Sequence, residues 1–252
     1  MPHWLPGVLG AVGLLVTWQV VGMTIFKENG AVPPPTAILQ QMQVDGFTFY
    51  WNNLSQTLKE AGQGWLWGNA LAIVLAIAFV QIPLLERGLL RLAVASYCLP
   101  IIALGPILTI LFSGDTPKVI LAALSVFFTT LIAMLVGLRS ADRTSLEVVR
   151  SYGGTTWTQL RKVRLTASLP ALFAGLRIAA PAALLGALIG EYMGAERGLG
   201  VAMINSQQSL QIERTWGIAL VATAAAGIAY GLTALVGRLL TPWAPRLKRS
   251  RR

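Results

Sequence analysis

The chain contains few side chains that could do chemistry. Among its 252 residues there is one histidine, His3, and one cysteine, Cys98. A zinc or haem site needs several such ligands, and a hydrolytic triad needs a histidine base close to a nucleophile. The sequence has no G-x-x-x-x-G-K-[ST] phosphate loop, so it does not predict ATP binding by that device. We therefore expect no metal, no cofactor and no catalytic residue.

One carboxylate is unusual because of its position. Glu191 ends a long apolar stretch that begins after Arg177. A carboxylate inside a membrane segment is costly and is by default a functional candidate. Glu191 could serve as a hydrogen-bonding group at a gate or bind a substrate. The alternative is a helix-end carboxylate that reaches water or pairs with Arg197.

Composition predicts that membrane helices position these residues. Hydrophobic residues make up 55% of the chain and charged residues 12%, against about 25% charged in a typical soluble domain. Long apolar windows reach the ~20 residues that cross a bilayer. We predict one all-α integral membrane domain over 1–252, whose six transmembrane helices are 5–26, 61–82, 88–112, 118–138, 169–191 and 215–239. A soluble helical core would need wider polar faces, and a β-barrel would show short alternating segments.

The basic residues predict the orientation. Of the 20 Lys and Arg residues, 15 fall on one side of these six helices and 5 on the other. Basic residues favour the cytoplasm, so both termini should be cytoplasmic in a multi-pass protein of the cell inner membrane. The net charge of +10 then reflects topology and does not indicate a nucleic-acid partner. The basic tail 246–252 should face anionic membrane lipid.

Prolines and sparse polar groups suggest where a pathway could run. We expect an outside loop over 27–56 with a short helix at 37–44, and Pro83 should end the second span. Pro100 and Pro106 should break the third span, either to line a cavity or as a packing kink. The polar candidates for a translocation path, besides Glu191, are Ser96, Tyr97, Thr109, Ser125 and Thr129.

The loop over 139–168, on the predicted cytoplasmic side, has a detailed local pattern. Residues 144–147 read as a capping box, in which Thr144 caps the helix and Glu147 reaches back. Gly153-Gly154 should stop this helix. A second capping box at 156–159 should open a short basic helix through Arg164, and Pro170 should set the entry to the fifth span. An interfacial helix lying on the headgroups is the alternative.

This loop resembles the EAA loop of ABC importer permeases. The resemblance rests on Glu147-Val148-Val149-Arg150-Ser151-Tyr152-Gly153-Gly154, followed by Trp157 and by a Leu-Pro ending at 169–170. Glu147, Gly153 and Leu165 match the family pattern in register. The chain departs from it in two places: Val148 and Val149 replace the alanine pair, and Thr166 replaces a proline. These changes should alter groove packing and loosen the second helix.

The resemblance extends over nearly the whole chain. Five further pieces look like the nitrate/sulfonate/taurine-type subfamily in order and placement: 32–35, 99–106, 174–178, 190–200 and 240–243. The most specific of them reads Gly190-Glu191-Tyr192-Met193-Gly194-Ala195, followed by Arg197-Gly198-Leu199-Gly200.

The resemblance implies a permease subunit that forms the translocation path and is not itself an enzyme. ATP and magnesium would bind a separate cytoplasmic subunit. The ATPase-coupling residues would be Glu147, Val148, Val149, Arg150, Ser151, Tyr152, Gly153, Gly154 and Trp157. The other implied partners are a second permease subunit, alike or identical, and an extracytoplasmic binding protein that delivers the substrate.

The sequence leaves alternatives for the substrate and for the class of protein. The resemblance allows nitrate, sulfonates or taurine, and pyrimidine or vitamin precursors. A membrane-embedded lipid-modifying enzyme would need clustered acidic residues, whereas the predicted cytoplasmic side has only Glu86, Asp142 and Glu147, far apart in sequence. A scaffold subunit without a pathway is a third possibility.

Overall fold

The structure, a computed structural model, describes residues 5–26, 30–97 and 100–244. His3, Cys98 and the basic tail 246–252 lie outside the described residues, as do the side chains of Ser96 and Tyr97. The described residues form ten α-helices: α1 (Leu5–Thr24), α2 (Pro35–Gln81), α3 (Pro83–Tyr97), α4 (Ile101–Leu111), α5 (Thr116–Arg139), α6 (Arg143–Ser151), α7 (Thr156–Gln159), α8 (Leu165–Glu191), α9 (Leu199–Gln208) and α10 (Ile212–Leu240). One π-helical turn, Leu160–Arg164, joins α7 to α8.

Five described helical segments are long and apolar enough to cross a membrane. They are α1, α2, α5, the continuous segment Thr156–Glu191 that contains α7 and α8, and α10. Their lengths of 20 to 47 residues reach the ~20 residues that a bilayer requires. The predicted all-α membrane fold is therefore confirmed.

The third predicted span is divided between two helices. Pro100 was expected to break it, and α3 ends at Tyr97 while α4 begins at Ile101. Proline lacks an N–H and disfavours helical geometry at the residue before it, which is the physical basis of that expectation. Pro106 lies inside α4 and does not break it.

The two short helices together traverse the bundle. At the start of α3, Glu86 pairs with Arg139 at the end of α5. After α4, Asp115 lies 3.2 Å from the Lys59 Nζ atom and precedes α5. We call the end that contains Arg139 the basic end and the end that contains Asp115 the far end. The chain thus passes from the basic end to the far end through α3 and α4.

The second helix begins much earlier than the sequence suggested. It starts at Pro35 and runs to Gln81, with a kink at Gly46, where φ is 77°. The predicted helix at 37–44 is present, but residues 47–60 are helical too, and the expected loop is wrong there. Three polar residues of this stretch, Asn53, Thr57 and Glu60, share one face at spacings of four and three, and Thr57 and Glu60 are buried on it.

The centre of the bundle is α5, which packs between α2 and α8. Glycines lie where the backbones of α2 and α8 come close to the backbone of α5. A Cβ atom at Gly68 would lie 2.5 Å from the Ala123 carbonyl oxygen, and one at Gly186 would lie 2.7 Å from the Ala122 Cα atom. Small residues allow this approach in lipid, where apolar side chains gain little by leaving the bilayer for one another.

Substitution of Gly68 by alanine should therefore destabilise the bundle. The added Cβ atom meets backbone of α5, which cannot rotate away, and overpacking of this kind costs about 1–3 kcal/mol. We expect Gly68→Ala to lower the midpoint of thermal unfolding in detergent. Gly62→Ala is the matched control, because nothing lies within 4 Å of a Cβ atom there. Equal midpoints for the two variants would contradict this packing.

Candidate functional site

The first candidate site is the basic-end loop, residues 140–164, between α5 and α8. Its first helix, α6, begins after Asp142, whose carboxylate accepts a hydrogen bond from the Ser145 N–H at 2.9 Å. The predicted capping box at 144–147 is therefore wrong. The cap is Asp142, two residues earlier, and Thr144 and Glu147 lie within the helix.

The aspartate cap is charged at neutral pH. The backbone N–H of Ser145, followed by its hydroxyl, holds the pKa of the Asp142 carboxyl below its usual value. Because the folded-state pKa is lowered, the cap's stabilising effect persists at neutral pH and fades only as pH falls through that lowered value. The negative charge also suits the positive end of the helix dipole.

The helix α6 presents an apolar surface to solvent. Leu146 and Val149 are half-buried against the rest of the loop. Val148 is 50% exposed and Tyr152, directly after the helix, is 89% exposed. Glu147 and Arg150 are exposed as well, and the described residues show no ion pair between them. Apolar side chains in such positions are typical of a surface that a partner covers.

A glycine turn follows α6, as predicted. Gly153 has φ of 76°, a conformation that glycine adopts without a Cβ penalty. Gly154 approaches Val149, where an added Cβ atom would lie 2.6 Å from the carbonyl oxygen. The Gly154 N–H donates to that oxygen at 2.9 Å. The turn is therefore closed by backbone contacts at both glycines.

The second half of the loop begins with a threonine cap. Thr155 accepts a hydrogen bond from the Thr158 N–H at 3.3 Å, so the predicted box at 156–159 is displaced by one residue. The side chain of Gln159 donates to the Leu146 carbonyl at 3.0 Å and ties α7 to α6. Trp157 is 56% exposed on this segment.

The loop is braced against the spanning helices. Arg164 donates to the Leu138 carbonyl near the end of α5, at 3.1 Å. The predicted second short helix does not end at Arg164, because the helical backbone continues through the π-helical turn to Glu191. Pro170 lies inside α8 and does not mark its entry. The second half of the loop, from Thr156, and the fifth predicted span are therefore one continuous helical element.

The structure brings the nine predicted coupling residues into one compact unit. Three large side chains of this set, Val148, Tyr152 and Trp157, are exposed at its surface. The sequence reasoning missed the residues that hold the unit in place, which are Asp142, Thr155, Gln159 and Arg164. An Asp or Thr just before a short polar-apolar run is the signal that could have found the two caps.

The second candidate site is the buried carboxylate at the far end. Glu191 is 1% exposed and ends α8. The structure does not place it in water or against Arg197. Its Oε1 atom accepts from the Thr57 hydroxyl at 2.6 Å, and its Oε2 atom accepts from the Gly200 N–H at 2.5 Å. The expected helix-end carboxylate that reaches water or pairs with Arg197 is therefore wrong.

Together with two residues of α2, Glu191 fastens the beginning of α9. The first N–H groups of a helix have no partner within that helix. Here the Gly198 N–H donates to the Asn53 side chain at 3.2 Å and the Leu199 N–H donates to Thr57 at 2.9 Å. We call Asn53, Thr57, Glu191 and the amides of residues 198–200 the α9 latch. An added Cβ atom at Gly198 would collide with the Glu191 carboxylate, so this position requires glycine.

Ion pairs surround the latch at the far end. Lys118, almost buried, lies 3.4 Å from the fully buried Glu60 and 3.3 Å from Asp115. Asp45, whose side chain is buried, lies 2.6 Å from Arg214. Sequence reasoning missed Asn53, Thr57, Glu60 and Lys118. The spacing of the first three on α2 was the available signal, hidden by the expectation that the chain up to residue 56 is a loop.

The remaining translocation-path candidates are not brought together. Ser125 and Thr129 lie one turn apart on α5 and are half-buried, and the Ser125 hydroxyl donates to the Leu121 carbonyl at 2.8 Å. Thr109 is exposed on α4 and donates to the Pro106 carbonyl at 2.9 Å. Both hydroxyls therefore donate to backbone carbonyls of their own helices, as is common in membrane helices.

Comparison with known proteins decides the family. Residues 68–249, which include the basic-end loop and, from the α9 latch, Glu191 and the amides of residues 198–200, match the model of the binding-protein-dependent transport system inner membrane component. The chain belongs to this family. It is a permease subunit of an ABC importer, and such a subunit is not an enzyme, because ATP is hydrolysed on a separate subunit.

Relatives of this permease agree with the assignment. It is 32% identical over 234 residues to the riboflavin transport system permease protein RibX of Chloroflexus aurantiacus, covering 91% of this chain and 87% of the relative. It is 31% identical over 201 residues to a probable ABC transporter permease protein of Haemophilus influenzae, covering 79% and 82%. The taurine transport system permease protein TauC of Escherichia coli is 28% identical over 242 residues, covering 92% and 87%.

Solved structures share the permease fold. The inward-facing MetNI methionine ABC transporter has a TM-score of 0.58 at 18% identity, covering 77% of this chain and 95% of that chain. An amino acid ABC transporter determined with histidines has a TM-score of 0.60 at 15% identity, covering 82% and 98%. These likenesses establish the arrangement of the helices.

Two substitutions of Glu191 should separate hydrogen bonding from charge in the α9 latch. In Glu191→Gln the amide oxygen can accept from Gly200 and the amide nitrogen can donate to Thr57, which can itself donate to the Asn53 carbonyl at 3.2 Å. Glu191→Ala leaves the buried Gly200 N–H without a partner, at a cost of about 1–3 kcal/mol.

Amide hydrogen exchange of residues 198–208 in detergent measures this difference. We expect faster exchange in Glu191→Ala and near wild-type exchange in Glu191→Gln, because only the first variant loses the contacts. If the glutamine variant exchanges as fast as the alanine variant, the negative charge holds the α9 latch and the hydrogen bonds do not.

Proposed function

We propose that the basic-end loop is the coupling element of this importer, through which a cytoplasmic ATPase subunit drives the permease. The observation that carries the proposal is the exposed apolar set Val148, Tyr152 and Trp157 on a short, capped and braced unit. A coupling contact must pass on a displacement, and an element with both helix starts capped and its turn closed has few soft degrees of freedom.

The orientation follows from the basic residues. We place the basic end and both termini in the cytoplasm, since Lys and Arg concentrate there. The ATPase subunits, which carry ATP and magnesium, then lie beneath the basic-end loop. A second permease subunit, alike or identical, completes the pathway.

The far end would then receive an extracytoplasmic binding protein. Its helix α9 is fastened by the α9 latch and flanked by the ion pair of Asp45 with Arg214. We propose a small solute as substrate: nitrate, a sulfonate such as taurine, or a pyrimidine or vitamin precursor. The names of the relatives that mention riboflavin, formylaminopyrimidine and taurine support this range.

A substitution in the glycine turn tests the coupling role. Gly153→Val forces a branched side chain into φ of 76°, which costs about 1–3 kcal/mol locally. The strain should displace Tyr152 and Trp157 from the positions in which they would contact the ATPase subunit. We expect substrate-stimulated ATP hydrolysis and uptake to fall at least about tenfold, a barrier change of about 1.4 kcal/mol, while membrane insertion is retained. Glu147→Ala, at an exposed loop position, should also reduce both activities.

The control is Gly88→Val on α3, at the same end of the bundle. No atom lies within 4 Å of a Cβ atom at Gly88, and its backbone is helical. Uptake and ATP hydrolysis should stay near wild type in this variant. Normal uptake by a correctly inserted Gly153→Val variant would refute the coupling assignment.

A further inference from the structure

A large cavity between α8 and α10 opens at the basic end and has no part in coupling or in the α9 latch. Its volume is about 770 Å³, and its polar lining comes from Arg177 of α8 and from Tyr230, Arg238 and Thr241 at or near the end of α10. Phe173 is part of its apolar lining. A cavity with both kinds of surface suits an amphipathic ligand.

The two arginines lie at similar heights along the axis of the helix bundle. Gly237 packs against Phe173, where an added Cβ atom would lie 3.0 Å from the Phe173 Cβ atom. Arg238 is the next residue on α10, and Arg177 lies four residues beyond Phe173, a rise of about 6 Å. Arginine side chains are long enough to converge on one group across that separation. Both are exposed to the cavity or its surroundings.

The charges of these two arginines are not compensated within the described residues. Neither has a carboxylate oxygen within the 4.0 Å of an ion pair there, and the lining of the cavity contains no Asp or Glu. By contrast, the far-end residues Lys118 and Arg214 each have carboxylate partners. At the basic end, Glu86 is already paired with Arg139.

The position of the cavity corresponds to the headgroup level of a bilayer. Arg177 interrupts the apolar stretch of α8 about two turns from Pro170, which lines the mouth of the cavity. At this depth an arginine can extend its guanidinium to the interface. Trp243, 54% exposed just after α10, is the kind of side chain that lies at membrane interfaces.

We propose that this cavity, the diarginine cavity, binds a phosphate-type oxyanion, supplied by the headgroup of an anionic phospholipid on the basic side of the membrane. Guanidinium groups bind phosphate oxygens through paired, charge-assisted hydrogen bonds. Phe173 and Pro170 line the cavity beside the headgroup. The assignment to the inner leaflet rests on the orientation proposed above, whereas the binding itself does not depend on it.

The test measures lipid binding and does not involve transport. The full-length chain, purified with whatever subunits accompany it, is titrated in detergent with phosphatidylglycerol or with phosphatidylcholine, and bound lipid is counted by native mass spectrometry. We expect phosphatidylglycerol to bind and phosphatidylcholine to bind more weakly. In the double variant Arg177→Gln/Arg238→Gln the affinity for phosphatidylglycerol should fall about twenty-five-fold, since each basic residue near an anionic surface contributes about fivefold.

Two further variants make the result specific. Arg87→Gln/Arg91→Gln removes the same charge from exposed positions on α3 and should leave the affinity near wild type. Ala234→Phe keeps both arginines and fills part of the cavity, so it should weaken lipid binding even if the double arginine variant does not fold.

A parallel titration with inorganic phosphate distinguishes the two sources of the oxyanion. Phosphate alone raising the midpoint of thermal unfolding in wild type but not in the double variant would show that the two arginines bind a free oxyanion. That result would support the oxyanion site and overturn the phospholipid headgroup as its source. If the diarginine and α3 variants lose phosphatidylglycerol affinity equally, or neither loses it, the site does not exist. Loss of coupling in Gly153→Val has no bearing on either result.

Discussion

The structure depends on the close approach of α2 and α8 to the central helix α5. In lipid the hydrophobic effect does not draw helices together, so packing must come from van der Waals contact and from hydrogen bonds between helices. The contacts at Gly68 and Gly186 bring backbone against backbone on two faces of α5. The same proximity permits the buried hydrogen bond of Thr130 on α5 to Asn69 on α2, at 2.5 Å. Polar groups can therefore be buried at this interface because they find partners across it.

The close packing of the helices also permits a carboxylate to be buried at the far end. A buried carboxylate is unfavourable unless hydrogen bonds compensate for the water it loses. Glu191 obtains two of them, from Thr57 and from the backbone of Gly200, because α2, α8 and α9 meet at this point. The latch then supplies partners for three N–H groups at the start of α9 that would otherwise have none. A residue that looks like a pathway group in the sequence is in the structure a joint between three helices.

The membrane class, most of the crossing segments and the glycine turn could be predicted from the sequence, because apolar length and glycine conformation are local properties. The helical course of α2 through residues 47–60 could not, since Asn53, Thr57 and Glu60 are polar and their contacts with Gly198, Glu191 and Lys118 come from parts of the chain distant in sequence. The caps at Asp142 and Thr155 were missed because several Thr and Asp residues stand near each helix start, and only the backbone selects among them. The partners of Glu191 are Thr57 and the amide of Gly200, and no periodicity within one helix reveals such a meeting.

The continuity of the segment Thr156–Glu191 links the two candidate sites mechanically. At 36 residues and about 1.5 Å per residue it is roughly 54 Å long, and it carries Trp157 at one end and Glu191 at the other. In the coupling role proposed above, a displacement of the basic-end loop would act on the helix that holds the α9 latch. Bending is favoured where the backbone hydrogen-bond ladder is irregular, at the π-helical turn Leu160–Arg164 and at the two internal prolines of α8. Arg164 donates to the Leu138 carbonyl and thereby joins the π-helical turn to α5, so the basic-end loop is bonded to the central helix as well as continuous in backbone with α8.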